Sequence, residues 1–164
     1  MRYILRIRFV LIGFVFLNLN NLLYASEDSI YPIDYFKSNF DSLYLNNYDG
    51  FWTSYYYYQN KNDNCKDIQA MVVFLDFVKY IKGNAEVSES FHEYVEKYIM
   101  KDTECIFNAA LELNKESLDI LIKFYLSNSL IGDEEGLKKQ IQKYLRKDKY
   151  KEIKIIYEKY GKPE

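Results

Sequence analysis

The sequence predicts an all-α protein in which seven or eight short antiparallel helices stack as helical hairpins in one domain. Three observations support this fold class. After residue 25, proline occurs only at Pro32 and Pro163, so no proline interrupts a helix inside the chain. Apolar residues recur at intervals of three and four, as they do on one face of a helix. No Pro-, Gly- or Ser-rich linker divides residues 26–164, which have the length of one ordinary domain.

The first 25 residues have the pattern of a secretory signal peptide. Three arginines stand among the first eight residues, an apolar run extends from Phe9 to Leu17, and the segment ends at Ala25. Cleavage after Ala25 would release the protein into the periplasm or the extracellular space. The alternative is an uncleaved anchor in the inner membrane, although the run is shorter than the roughly 20 residues that span a bilayer. No stable membrane span is expected in residues 26–164.

Eight apolar segments predict the helices in order, and the short connections between them favour antiparallel neighbours. The segments are Phe36–Leu43, Phe51–Tyr58, Ile68–Val78, Val87–Ile99, Ile106–Leu113, Leu118–Tyr125, Leu137–Leu145 and Ile153–Tyr160. An Asp or Asn precedes seven of them and is predicted to accept hydrogen bonds from the first N–H groups of the helix. These predicted caps are Asp49, Asn64, Asn84, Asp102, Asn114, Asp133 and Asp148.

Two of the segments align with each other at an offset of 46 residues. In this alignment Phe91 meets Leu137 and Val95 meets Ile141. A period of that length is typical of two-helix repeats of the HEAT type. Any two amphipathic helices in the same phase align equally well, however, and stable arrays contain at least three units. Both a helical bundle and a short HEAT-like array therefore fit the sequence.

The residues from Ser26 onward include two cysteines, Cys65 and Cys105. An even number in an exported protein favours a disulfide over a metal site, and a single histidine supplies too few ligands for structural zinc. Both cysteines are placed in the first turns of helices that point the same way, with one antiparallel helix between them. We therefore predict a Cys65–Cys105 disulfide, and the alternative is a pair of free thiols.

Charge is distributed unevenly along the chain. Residues 26–136 carry 9 Lys/Arg and 20 Asp/Glu, whereas residues 137–164 carry 10 and 4. No positive field covers the whole protein, so nucleic acid is not an expected partner. The basic helices at 137–162 are expected to cover the core with one face and to face solvent with the other. Weak contact of these helices with an anionic surface is the alternative.

One group of polar residues has the spacing of a chemical site. On a helix, Glu89, His92, Glu93 and Glu96 share a face, so they are weak candidates for a metal site or an acid–base pair. A dinuclear carboxylate site needs a second such Glu-x-x-His pair, and the chain has one histidine. A solvated face is therefore favoured, and no metal or other cofactor is predicted. Nucleophile-elbow and phosphate-loop motifs are missing from the sequence, so no catalytic residue is assigned.

The stretch FWTSYYYY at residues 51–58 concentrates aromatic side chains. In helical phase, Phe51, Tyr55 and Tyr58 form a core stripe. The remaining rings are candidate ligand-binding residues, namely Trp52, Tyr56 and Tyr57.

These features predict an exported, non-catalytic protein-binding module of the bacterial cell envelope, with an unidentified protein partner. The alternative is a protein that binds or hydrolyses cell-wall carbohydrate. In that case Trp52, Tyr56 and Tyr57 would stack on sugars, and Glu89 and Glu93 would act as acids.

Overall fold

The computed structural model of the protein describes residues 30–62, 65–127, 129–130 and 132–160. This part of the chain contains eight α-helices and no strand, which confirms the predicted all-α single domain. The predicted signal peptide at residues 1–25 lies outside the described residues. Among the described helices, none combines the length and the apolar character that a membrane crossing requires.

The helices follow the predicted segments with two differences. Their bounds are α1 Ile33–Ser38, α2 Phe40–Asn46, α3 Tyr48–Asn60, α4 Ile68–Leu75, α5 Ala85–Leu111, α6 Lys115–Leu121, α7 Glu134–Leu145 and α8 Lys151–Tyr160. A short 3-10 turn at Asp76–Lys79 follows α4, and another at Asp148–Tyr150 precedes α8. A π-helical turn at Ile122–Leu126 continues α6. The first predicted segment divides at Asn39 into α1 and α2. The fourth and fifth are joined in α5.

Local hydrogen bonds define where several helices begin. The caps at Asn84, Asn114 and Asp133 are confirmed, because each side chain accepts a bond from a first-turn N–H group. The predicted cap at Asp49 is wrong. Helix α3 begins one residue earlier, at Tyr48, and the Asn47 side chain accepts the bond from the Gly50 N–H.

Two other predicted caps differ as well. Asn64 lies outside the described residues, and Asp67 caps α4 by accepting bonds from the N–H groups of Gln69 and Ala70. Asp148 makes no capping bond from its side chain, because it stands inside the 3-10 turn that precedes α8. Asn and Asp are common near helix starts, but the backbone conformation selects the residue that caps.

Helix α5 is interrupted at Asp102, where the backbone is extended (φ −152°, ψ 78°). The Asp102 carboxylate accepts a hydrogen bond from the N–H of Cys105 at 3.1 Å, as an N-cap residue does. The predicted cap is therefore present. The two predicted segments are joined at this position by a single non-helical residue rather than by a longer connection.

The predicted disulfide is confirmed. Cys65 and Cys105 are bonded to each other with their Cα atoms 6.0 Å apart. Cys65 stands before α4 rather than in its first turn, with a φ of 46°. The disulfide consequently joins the segment that leads into α4 to the kink in α5.

An aromatic layer forms the centre of the fold and holds α1, α3, α4 and α5 together. Its members are fully buried, namely Phe36, Phe51, Tyr55, Phe74, Phe77 and Phe91. The Phe74 ring lies 5.6 Å from the Tyr55 ring and 5.2 Å from the Phe91 ring, measured between centroids. Burying one side chain of this size contributes roughly 1.5–3 kcal/mol. The layer therefore sets the position of α3 relative to α5.

A half-buried polar cluster ties the first helix to the sixth. The Asp76 carboxylate accepts hydrogen bonds from Lys37 Nζ at 3.0 Å and Ser117 Oγ at 2.8 Å, and it pairs with Lys79 Nζ at 2.9 Å. Burial alone raises the pKa of Asp76, but the bonds from Lys79, Lys37 and Ser117 outweigh it and hold the pKa below its ordinary value. Asp76 thus stays ionised in the folded protein.

Removal of the disulfide is expected to destabilise the protein. The bond closes a loop with a sequence separation of 40, for which the chain-entropy model gives about 4 kcal/mol. We expect the Cys65→Ser, Cys105→Ser double variant to lose about 2–4 kcal/mol of unfolding free energy, measured by urea denaturation. Reduction of the wild-type protein should give a similar loss. An unchanged urea midpoint in both cases would contradict the stabilising role.

The Asp76→Asn substitution is expected to destabilise the protein in a pH-dependent way. Because folding lowers the pKa of Asp76, its contribution is present above a pH of about 4 and disappears as the pH falls through the folded-state pKa. We expect a loss of about 1–2 kcal/mol at neutral pH, measured by urea denaturation. The difference from wild type should shrink below a pH of about 4. A difference that is equal at both pH values would contradict this account.

Candidate functional site

A groove of about 630 Å³ runs between α3 and α5. Its described lining residues are Tyr48, Asp49, Trp52, Thr53 and Tyr56 from α3 and Glu86, Glu89, Ser90 and Glu93 from α5. Two other surface depressions are smaller, at about 380 and 270 Å³. The volume of the groove lies within the range of small-molecule binding sites.

The α3 side of the groove is an aromatic wall formed by Tyr48, Trp52 and Tyr56. These residues are four apart, so they lie above one another on one face of the helix. The Trp52 and Tyr56 rings are 5.2 Å apart with 27° between their planes. Trp52 also packs edge-on against the buried rings of Phe51 and Tyr55. The aromatic layer thereby holds the wall in place before any ligand binds.

The α5 side is an acidic wall formed by Glu86, Glu89 and Glu93. Neighbouring like charges three and four residues apart destabilise a helix. Glu93 forms an exposed ion pair with Lys97 at 2.5 Å. Glu89 on α5 and Asp49 on α3 form no ion pair with the described residues. Among the described residues that line the groove, none is Lys, Arg or His.

A tyrosine–carboxylate latch stands at one end of the groove. The phenols of Tyr44 in α2 and Tyr48 in α3 each donate a hydrogen bond of 2.5 Å to the carboxylate of Glu86. These two bonds lower the pKa of Glu86, and the same bonds raise the pKa values of Tyr44 and Tyr48. Glu86 also lies in the first turn of α5, where the helix dipole favours a negative charge.

The Trp52 indole N–H lies at the inner side of the aromatic wall. Its nitrogen is shielded from solvent and meets no acceptor at hydrogen-bonding geometry among the described residues. It lies close enough to the Tyr48 phenol to lower the pKa of that group, against the larger opposite effect of the Glu86 hydrogen bond. The aromatic wall therefore offers ring faces, rather than a free indole donor, to a ligand.

The three aromatic residues that were predicted to bind a ligand do not lie on one surface. Trp52 and Tyr56 line the groove, and Tyr56 has a relative exposure of 45%. Tyr57 does not line the groove. Its ring instead contacts the ammonium group of Lys61, which lies 4.3 Å from the ring centroid.

The four polar residues predicted to share a face of α5 are also separated. Glu89 and Glu93 are exposed in the groove, whereas His92 and Glu96 are buried, with relative exposures of 7% and 1%. The Glu96 carboxylate accepts hydrogen bonds from the Ser129 hydroxyl and, at 2.7 Å, from the Leu130 N–H. His92 packs against the ring of Tyr125. The four side chains therefore do not form one solvated face.

The groove also contains residues that the sequence prediction missed, namely Tyr48, Asp49, Thr53, Glu86 and Ser90. The spacing of some of them was informative. Residues 48, 52 and 56 share one face of a helix, and residues 86, 89 and 93 share one face of another. Spacing within a helix does not show which other helix that face meets. The contact of the two faces became visible only in the structure.

One further group of potential metal ligands consists of Cys65, Asp102 and Cys105, whose ligand atoms lie within 4.8 Å of one another. The two sulfur atoms are bonded to each other, so neither is available as a thiolate ligand. This cluster is therefore a structural disulfide next to a helix cap.

The chain matches no protein family model, no curated protein and no solved structure. Its function is therefore inferred from the chemistry of the groove. Carboxylates accept hydrogen bonds and attract cations, while aromatic faces bind cations and the C–H groups of sugars. Both types of ligand are compatible with the residue types present.

The latch is expected to open in acid. Because the hydrogen bonds from Tyr44 and Tyr48 lower the pKa of Glu86, its carboxylate stays ionised to a lower pH than an ordinary glutamate, and the two phenol bonds to the carboxylate are lost when it is protonated. Trp52, the only tryptophan, should report this step as a change in its fluorescence, since the Tyr48 ring lies 6.1 Å from the indole. The Glu86→Gln variant should lack the transition, and Glu93→Gln should keep it. The fluorescence is measured only at pH values where circular dichroism shows that the helices are intact. A transition that persists in the Glu86→Gln variant would contradict the assignment to Glu86.

Proposed function

We propose that this protein is an exported, non-catalytic protein-binding module of the bacterial cell envelope and that the groove between α3 and α5 is its binding site. The disulfide is compatible with export to an oxidising compartment. The observation that carries the proposal is the pairing of an aromatic wall with an acidic wall across one open groove. Tyrosine and tryptophan are enriched among the residues that dominate protein-binding energy.

The environment of the carboxylates supports binding rather than acid–base catalysis. A carboxyl group that acts as a general acid near neutral pH is commonly desolvated, which raises its pKa. Glu89 and Glu93 are instead exposed. The single histidine, His92, is buried and does not line the groove.

The rigidity of the aromatic wall also supports a binding role. Trp52 and Tyr56 are held against each other and against the buried layer, so little side-chain entropy remains to be lost on binding. A partner that covers the wall would bury ring surface that now faces solvent. This combination favours a specific contact over a purely solubilising surface.

Carbohydrate binding is a second candidate. It is favoured by the nearly parallel Trp52 and Tyr56 rings, which lie in the same groove as the Glu89 carboxylate. Sugar rings present C–H faces to aromatic side chains and hydroxyl donors to carboxylates. Hydrolysis would additionally require turnover of a cell-wall oligosaccharide, which product analysis can measure directly.

Site-specific photo-crosslinking tests the proposed binding site. A benzophenone amino acid is introduced in place of Tyr56, or in place of Phe124, which has similar exposure and does not line the groove. In cells of the source organism, we expect a defined protein adduct from position 56 and none from position 124. Filling the groove with Thr53→Arg should abolish the adduct. Equal labelling at both positions, or none at position 56, would argue against the groove as a protein-binding site.

A further inference from the structure

We propose that the groove recognises a cationic segment of its protein partner, with a lysine or arginine side chain placed over the aromatic wall and between the carboxylates. This inference rests on the proposed function, because it specifies the chemistry of the partner at the same site. It follows from the charge of the lining residues, the exposed ring faces and the four carboxylates, which can only accept hydrogen bonds.

Charge is the first argument. Four carboxylates line the groove, from Asp49, Glu86, Glu89 and Glu93, and none of the other described lining residues is basic. Glu86 is engaged by two neutral phenols, which leave its negative charge uncompensated. Glu93 has Lys97 as an exposed counter-ion. A cation in the groove would lie close to several negative charges that no described side chain neutralises.

The surrounding charge reinforces this local field. Residues 26–136, which include both walls of the groove, carry 20 Asp/Glu against 9 Lys/Arg. A groove lined by one sign of charge concentrates ions of the opposite sign and speeds their encounter. The acidic part of the chain therefore favours approach of a basic segment and disfavours an acidic one.

The aromatic wall supplies a second attraction for a cation. Lysine and arginine bind over the faces of tryptophan and tyrosine when the charge lies within about 6 Å of the ring centroid. The chain already contains this contact elsewhere, because the Lys61 ammonium lies 4.3 Å from the centroid of the Tyr57 ring. In the groove, the corresponding faces of Tyr56 and Trp52 have no described lysine or arginine over them.

A neutral ligand matches the groove less well. The four carboxylates of its lining are acceptors only, and the indole N–H of Trp52 is shielded from solvent. A neutral ligand would remove water from several carboxylates without supplying a compensating charge, which is unfavourable. A cation would also reduce the repulsion among Glu86, Glu89 and Glu93 along α5.

Fluorescence of Trp52 tests this inference with defined probes. Tetralysine amide, tetraglutamate amide and an N-acetylglucosamine tetramer contain no tryptophan, so any change in tryptophan emission reports Trp52 in the purified exported protein. We expect a saturable change with tetralysine alone, with an affinity that falls as salt is raised. The Glu89→Lys, Glu93→Lys double variant should bind tetralysine at least about tenfold more weakly, because charge reversal converts attraction into repulsion.

A matched control distinguishes binding to the carboxylates of the groove from a general effect of net charge. Glu112→Lys, Glu152→Lys changes the total charge by the same amount at two exposed positions outside the groove, and it should bind tetralysine within about twofold of wild type. Circular dichroism verifies the fold of both double variants. The milder Glu89→Gln, Glu93→Gln variant should give an intermediate loss, which keeps the test valid if the double reversal perturbs α5.

Several outcomes would overturn the inference. An equal loss in both double reversals would show a net-charge effect without a site. A response to the N-acetylglucosamine tetramer and not to tetralysine would assign the groove to neutral carbohydrate. If tetralysine fails while position 56 still crosslinks to a protein, the cationic specificity is wrong and the proposed protein-binding function stands. If tetralysine does not bind and position 56 does not crosslink to a protein, both the cationic specificity and the protein-binding function are wrong.

Discussion

The position of Phe74 between α3 and α5 is the constraint on which the rest of the structure depends. Its ring contacts the Tyr55 ring at 5.6 Å and the Phe91 ring at 5.2 Å, so one side chain from α4 joins both helices. Close packing in this layer fixes the separation and rotation of α3 and α5. The outer faces of the same helices then become the two walls of the groove. The groove is therefore a consequence of how the core packs.

Helix α5 shows how surroundings assign different roles to the same side-chain type. Glu86 receives two phenol hydrogen bonds, Glu93 has an exposed lysine, and Glu96 is buried where a hydroxyl and a backbone N–H satisfy it. A buried carboxylate without such partners would be costly. Glu96 consequently acts as a structural anchor for residues 129–130, while Glu89 remains available at the surface. The carboxylate that is least engaged within the fold is the one best suited to meet a ligand.

Much of the fold was predictable because helix formation depends on local sequence. Apolar spacing marked the core of each helix, and Asn84, Asn114 and Asp133 cap helices as expected. The disulfide was predictable as well, because the chain after residue 25 contains only one possible cysteine pair. The kink at Asp102 was harder to predict from the sequence. A carboxylate that caps a new helix and one that caps the second half of a kinked helix have the same sequence signature.

The sequence by itself determined the helical segments, three of the helix starts and the cysteine pair. It also predicted the core stripe of FWTSYYYY, in which Phe51 and Tyr55 are buried and Tyr58 is half-buried. Only the tertiary structure decided that Trp52 and Tyr56 face Glu89 and Glu93, while Tyr57 contacts Lys61. Helical periodicity defines which residues share a face, because 3.6 residues complete each turn. It contains no information about which face of another helix lies opposite. That choice is made by packing between residues far apart in the chain, here by the aromatic layer around Phe74.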